Sequence, residues 1–256
     1  MNKKHAISLV FVLVAMVALI VFLAPSAKPE GTLKLYAGAG LRRAVEKLVA
    51  EFERLEGVKI EPDYGGSGMV LSRAREDDSA DLFMPGDKWY VQRLEELSGK
   101  VETTAVVARF VPVIIVPKGN PRGIQGLADF RQEGLTVGLG RAKACQIGRL
   151  TDKIFAKAGL KRETLAQQES LTVNELGVWV KMKTVDAAIV WDAIASNIAT
   201  DVDVIPIEDE WRIESQASLA VLETAPHPES ARAFVAFVTS PEGRGILKAA
   251  GYTLPE

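Results

Sequence analysis

The chain reads as an α/β protein with largely parallel sheets. Two observations carry this: strand-like and helix-like segments alternate after residue 31, and two glycine-rich turns each stand between an apolar strand and a helix. The turns are Ala37-Gly38-Ala39-Gly40 and Tyr64-Gly65-Gly66-Ser67-Gly68. A turn of this kind exposes backbone N–H groups at the positive end of a helix dipole, which favours an anion. Glycine allows the tight geometry and lets a ligand come close to the backbone.

The alternation can be followed in order. Thr32 to Ala37 is a strand, and Leu41, Ala44, Val45, Leu48, Val49 and Phe52 then recur with helical period up to Gly57. Val58 to Tyr64 is a second strand, Met69 to Arg75 a helix, and Ala80 to Met84 a third strand. Asp87 is placed to cap the helix that carries Trp89, Val91 and Leu94. Val106 to Val116 is apolar and β-branched, a buried strand suited to cross between two lobes. A short helix follows at Leu127 to Arg131, a strand at Leu135 to Leu139, and helices at Cys145 to Gly159 and Val173 to Lys183. Val185 to Trp191, Asp203 to Ile207 and Ala217 to Leu222 are strands, the last a return crossing. Pro228 to Thr239 and Pro241 to Ala250 close the chain as helices with proline in the first turn.

Composition narrows the function. The chain has 256 residues, long enough for two modest domains or one large one, and is 48% hydrophobic with a formal net charge of −2. Nothing in that balance points to nucleic acid or an acidic membrane surface. Cys145 is the only cysteine, so no intrachain disulfide can form. The N-terminus is of another kind: Lys3 and Lys4 precede an apolar run from Ala6 to Ala24, followed by Pro25-Ser26-Ala27. Residues 1–29 therefore read as a secretory signal peptide or an uncleaved N-terminal anchor, which places the protein in the periplasm or otherwise outside the cytoplasm.

The order of motifs, from Leu33-Lys34-Leu35-Tyr36-Ala37-Gly38-Ala39-Gly40-Leu41 through Gly66-Ser67-Gly68 and Ala80-Asp81-Leu82-Phe83 to Gly251-Tyr252-Thr253, resembles the periplasmic molybdate-binding proteins of ABC importers. The resemblance covers essentially the whole chain after the leader. It implies a two-lobed periplasmic-binding-protein-like fold with two crossing strands, here Val106 to Val116 and Ala217 to Leu222. One lobe would comprise 30–111 with 217–256, and the other 112–216. It also implies capture of a small oxyanion, molybdate or tungstate, for an ABC permease, by a monomer that needs no cofactor and holds no metal of its own.

Carried over by position, the family's five anion contacts fall on Gly40, Ser67, Cys145, Val173 and Trp191. Ser67 matches the family serine, and Cys145 and Val173 stand where backbone amides open helices. Gly40 departs by lacking a hydroxyl. Trp191 departs by replacing a tyrosine hydroxyl with an indole N–H of different reach.

Other readings stand beside this one. Ser67 could cap its own helix instead of meeting a ligand, and Trp191 could be core. Arg42, Arg43, Arg141, Lys143 and Arg149 border the loops, either as direct charge or as solvated helix faces. Asp87 and Asp192 are acceptors that a protonated phosphate would want, so phosphate and sulfate stay open. A ferric site would want clustered tyrosines, whereas Tyr36, Tyr64, Tyr90 and Tyr252 include no adjacent pair. Gly38-Ala39-Gly40 could open a dinucleotide fold, but Arg43 stands where its fingerprint wants a third small residue. Cys145 as a nucleophile would need a base, and the only histidines are His5 and His227.

Overall fold

The computed structural model describes residues 31–255, which belong to one compact unit. The leader expected over residues 1–29 lies outside the described residues.

Two five-stranded sheets organise this unit. The first runs in the order β2-β1-β3-β10-β4, from β1 (Thr32–Gly38), β2 (Lys59–Gly65), β3 (Leu82–Met84), β4 (Val101–Phe110) and β10 (Ser215–Leu222). The second runs β7-β6-β8-β5-β9, from β5 (Pro112–Pro117), β6 (Thr136–Gly140), β7 (Ala166–Ser170), β8 (Ala187–Trp191) and β9 (Val202–Pro206). The helices among the described residues are α1 (Arg42–Glu56), α2 (Ser67–Glu76), α3 (Lys88–Ser98), α4 (Gln146–Lys157), α5 (Val173–Lys181), α6 (Asp192–Asn197), α7 (Pro228–Thr239) and α8 (Pro241–Ala249).

Local chemistry explains the elements that position the site. Ala44, Val45, Leu48, Val49 and Phe52 bury one face of α1, and Phe52 packs edge-on against Phe234 of α7 at 5.1 Å. Gly57 ends α1 in the left-handed conformation, with φ 71°. Asp87 caps α3 by accepting from Trp89 N–H at 2.8 Å, and proline opens both α7 and α8, all as expected from the sequence. One apolar cluster runs through residues of both sheets, from Leu35 and Phe52 to Ile114 and Ile189. A second covers the other side of the first sheet around Tyr36, Phe83, Tyr90 and Leu94.

The sheets are mixed rather than largely parallel. β1 pairs in parallel with β2 and β3, as does β6 with β7 and β8. The segments that pass between lobes break the pattern: β10 is antiparallel to β3 and β4, and β5 is antiparallel to β8 and β9. A strand entering a sheet from the neighbouring lobe need not follow the direction set by strand–helix–strand units.

The run Val106 to Val116 is two strands, not one. β4 ends at Phe110 in the first sheet and β5 begins at Pro112 in the second, so the crossing occupies Val111 alone. Proline cannot donate to a ladder, which favours a break there. Asp192 fastens the crossing: its N–H donates to Val111 O at 2.8 Å, and its carboxylate accepts from Val111 N–H at 3.3 Å. No helix among the described residues is long and apolar enough to cross a membrane.

Candidate functional site

All five positions singled out from the sequence line a single cavity between the sheets. Gly40 comes from the 3-10 turn Ala39–Leu41 that joins β1 to α1, and Ser67 opens α2. Cys145 is the N-cap of α4, Val173 is the first residue of α5, and Trp191 ends β8. Five helices thus begin at or beside the cavity wall, since Trp191 is also the N-cap of α6. Each leaves its first N–H groups without a carbonyl partner inside the helix, and their dipoles favour negative charge there.

The space is small. The volume open to the centre of a water-sized sphere is about 20 Å³. That is room for a guest of a few atoms, such as one small ion. The wall also includes Gly38, Gly65, Gly66, Gly86, Phe110, Gln146 and Ile147. No Asp, Glu, Lys, Arg or His is among the lining residues.

Ser67 does not cap its helix. Gly66 is the N-cap and has no side-chain cap, so the hydroxyl is available for another use. Ser67 Oγ accepts from Gly86 N–H at 3.0 Å, which leaves the hydroxyl proton free to donate. At Cys145 the chemistry differs from the positional expectation. Its N–H donates to Arg141 O at 3.0 Å and is therefore already engaged. Free amides at this helix start belong to Gln146 and Ile147, both on the wall. Cys145 is 3% exposed, and burial pushes its thiol pKa up to about 11. It is a neutral packing group rather than a nucleophile at neutral pH.

Val173 N–H stands free at the start of α5, while the Thr172 side chain caps the helix by accepting from Glu175 N–H at 3.4 Å. Trp191 is buried and stacks on Phe110 with centroids 4.9 Å apart and planes 8° off parallel. Its indole N–H makes no hydrogen bond among the described residues and is not one of the fully enclosed unpaired polar atoms, in keeping with its place on the wall.

Gly66 and Gly68 of the second turn leave room for main chain of the other lobe. A Cβ at Gly66 would overlap the Ala144 and Leu171 carbonyl oxygens, and one at Gly68 would overlap Lys143 O. Gly68 N–H donates to Ala144 O at 2.9 Å, tying the start of α2 to the loop before α4. A second tie lies deeper. Buried Gln146 donates through Nε2 to Ser215 Oγ at 3.1 Å, and Ser215 Oγ donates to Gly86 O at 2.8 Å.

The bordering charges are occupied elsewhere. Arg42 lies over the Tyr64 ring at 4.0 Å, Arg43 donates to Asn197 Oδ1, and Arg141 pairs with Glu169. Arg149 lies over Trp89 at 4.3 Å and donates to Gln146 Oε1, and Lys143 is exposed. Asp87 is taken by the α3 cap and Asp192 by the crossing; burial raises the Asp192 carboxyl above its ordinary value. Among the described residues, no group of three or more His, Cys, Asp or Glu could hold a metal ion.

Sequence reasoning missed Phe110, Gly86, Gln146 and Ile147 as wall residues. Gly86 and Gln146 sit next to positions that were singled out, and Pro85-Gly86-Asp87 closing a strand was the one visible signal.

The model of the bacterial extracellular solute-binding proteins matches residues 33–253. A Haemophilus influenzae relative bearing only a general binding-protein name is 30% identical over 82% of this chain and 86% of its own. The molybdate-binding protein ModA of Mycobacterium tuberculosis is 26% identical over 90% of each chain. Among solved structures, the sulfate-binding protein SubI of Mycobacterium tuberculosis superposes with a TM-score of 0.77 at 18% identity, over 89% of this chain and 88% of that one. Proteins of this kind bind solutes and are not enzymes. The alternating strands and helices, the cavity between two sheets and the matched span agree: the chain belongs to the bacterial extracellular solute-binding protein family.

Proposed function

We propose that this solute-binding protein of the ABC-importer type captures molybdate or tungstate outside the cytoplasm and delivers it to a membrane permease. The observation that carries the reading is the wall itself: a cavity with room for one small ion, lined by helix starts, a serine hydroxyl and an indole N–H, with no charged side chain. Neutral donors suit an anion that carries no proton, because each of its oxygens can then accept. The donors proposed are the Gly40 turn amides, the Ser67 hydroxyl, the amides of Gln146, Ile147 and Val173, and Trp191 Nε1. The 26%-identical relative named for molybdate supports this choice of anion.

Phosphate fits less well. At neutral pH it keeps a proton that needs an acceptor, and the two candidate carboxylates, Asp87 and Asp192, are occupied away from the wall. Sulfate, which carries no proton, is the second reading, favoured by the wall's lack of carboxylates. Residues 1–29 are proposed to export the chain, cleaved or retained as an anchor. The protein is proposed to work as a monomer, without nucleic acid or cofactor.

Calorimetric titration of the protein lacking residues 1–29 tests the reading. Molybdate and tungstate are expected to bind at micromolar concentration or tighter, and phosphate at least about 100-fold more weakly, the worth of roughly one unpaired polar group at a charged ligand. Heat from phosphate alone, or from none of these ions, overturns it.

A further inference from the structure

Gly40 is a glycine for a reason outside its own backbone. It is not among the glycines with positive φ, so its conformation is open to other residues. What it lacks is room. A Cβ there would stand 3.1 Å from Val173 Cγ1, 3.2 Å from Trp191 Cδ1 and 3.4 Å from Trp191 Nε1, all on the opposite lobe. Trp191 has little freedom to give way. It is 2% exposed and stacked on Phe110, and Phe110 meets Tyr252 at 5.5 Å. The Tyr252 hydroxyl donates to Gly40 O, which closes a ring of four residues around one side of the cavity. An indole N–H at a dry site ordinarily finds an acceptor; Trp191 Nε1 makes no hydrogen bond among the described residues and is not one of the fully enclosed unpaired polar atoms, and the residue lines the cavity.

We propose that Gly40 and Trp191 are a matched pair that sets the specificity of the anion cavity, the indole taking the volume of a first-loop side chain and bringing its own donor to the guest. This rests on the oxyanion reading above. The pair makes the cavity rigid on the side where the two lobes meet, since the indole is held by a ring stack rather than by a flexible chain. Bulk added at Gly40 therefore has to be taken from Trp191, from Val173 or from the guest.

A double-mutant cycle read by titration with sodium molybdate and sodium sulfate tests the pairing. Gly40→Ala is expected to weaken molybdate binding at least about 10-fold in the wild-type background, and no more than about 3-fold in a Trp191→Leu background, where two of the three crowding atoms are gone and Val173 can shift into the space the indole leaves. It should also change the molybdate-to-sulfate affinity ratio at least threefold, whereas a loss of general packing would lower both in parallel. Equal losses in the two backgrounds, or parallel losses for the two ions, overturn the pairing. Trp191→Phe supplies a variant that keeps a ring on Phe110: a loss of about 10-fold in affinity at an unchanged melting temperature is expected from the missing donor, and unchanged affinity overturns the donor role. If wild-type protein binds neither ion, it is the oxyanion reading that fails. If it binds and the cycle shows no coupling, only the pairing fails.

Discussion

At the scale of single residues, Ser67 is informative because its hydroxyl has two parts with different partners. The oxygen is held by Gly86 N–H at 3.0 Å, and the proton is left over. Such a hydroxyl is preorganised: the amide fixes where the oxygen sits, so the O–H turns toward a guest with little entropy to lose. Ser67→Ala removes the donor and leaves the buried Gly86 N–H unpaired. Losing one hydrogen bond to a charged ligand costs about 1.5–3 kcal/mol, so affinity for molybdate should fall roughly 10- to 100-fold by calorimetry. The melting temperature should fall by only a few degrees, because the fold loses a single buried hydrogen bond. Unchanged affinity would remove Ser67 from the site. From sequence alone this hydroxyl has two competing uses, helix cap and ligand; the geometry assigns the cap position to Gly66 instead.

At the scale of elements, the start of α2 and the loop before α4 are built to touch. Gly66 and Gly68 have neighbours that are main-chain carbonyls of the other lobe, and main chain cannot swing aside as a side-chain tip can. Gly68→Ala would drive a methyl group into Lys143 O, so the closed arrangement should be disfavoured while the open lobes fold normally. Molybdate affinity is expected to drop at least about 10-fold, and small-angle scattering should report that the variant no longer compacts on adding the ion. Compaction equal to wild type would refute this closure role. From sequence alone a Gly-Ser-Gly turn looks made for a ligand, because the partner carbonyls lie 75 or more residues away in the chain. Other elements were legible for clear reasons. α1 and β1 follow apolar periodicity, and the α3 cap follows from Asp87. β7, with sequence Ala-Gln-Gln-Glu-Ser at the edge of its sheet, carries no apolar signal, and α6 is only six residues long. The crossing at Val111 was hidden inside an apolar run, although Pro112 marked it.

At the scale of the whole molecule, attraction for an anion cannot come from overall charge, since the formal net charge is −2. It has to come from fixed dipoles gathered by two sheets at one place, which act only within the first turn of each helix. This has a consequence for pH. Among the lining residues the Cys145 thiol is the only titratable side chain, and burial pushes it up to about 11. From pH 6 to about 9 neither the wall nor sulfate changes protonation, so sulfate affinity should stay flat, within about twofold. Above that range the sign is fixed: a raised thiol pKa means the folded state holds the neutral form, and losing that proton puts negative charge on the wall. Affinity should then fall as pH rises toward 11, and the stability that the neutral thiol contributes should be lost over the same window, between the ordinary thiol value and 11. Cys145→Ala separates the two causes, because it removes the titrating group and should leave affinity flat up to the pH at which the protein unfolds. A bell-shaped profile centred near neutrality would instead require an ionisable group at the guest, and the dipole-only account of this cavity would fail.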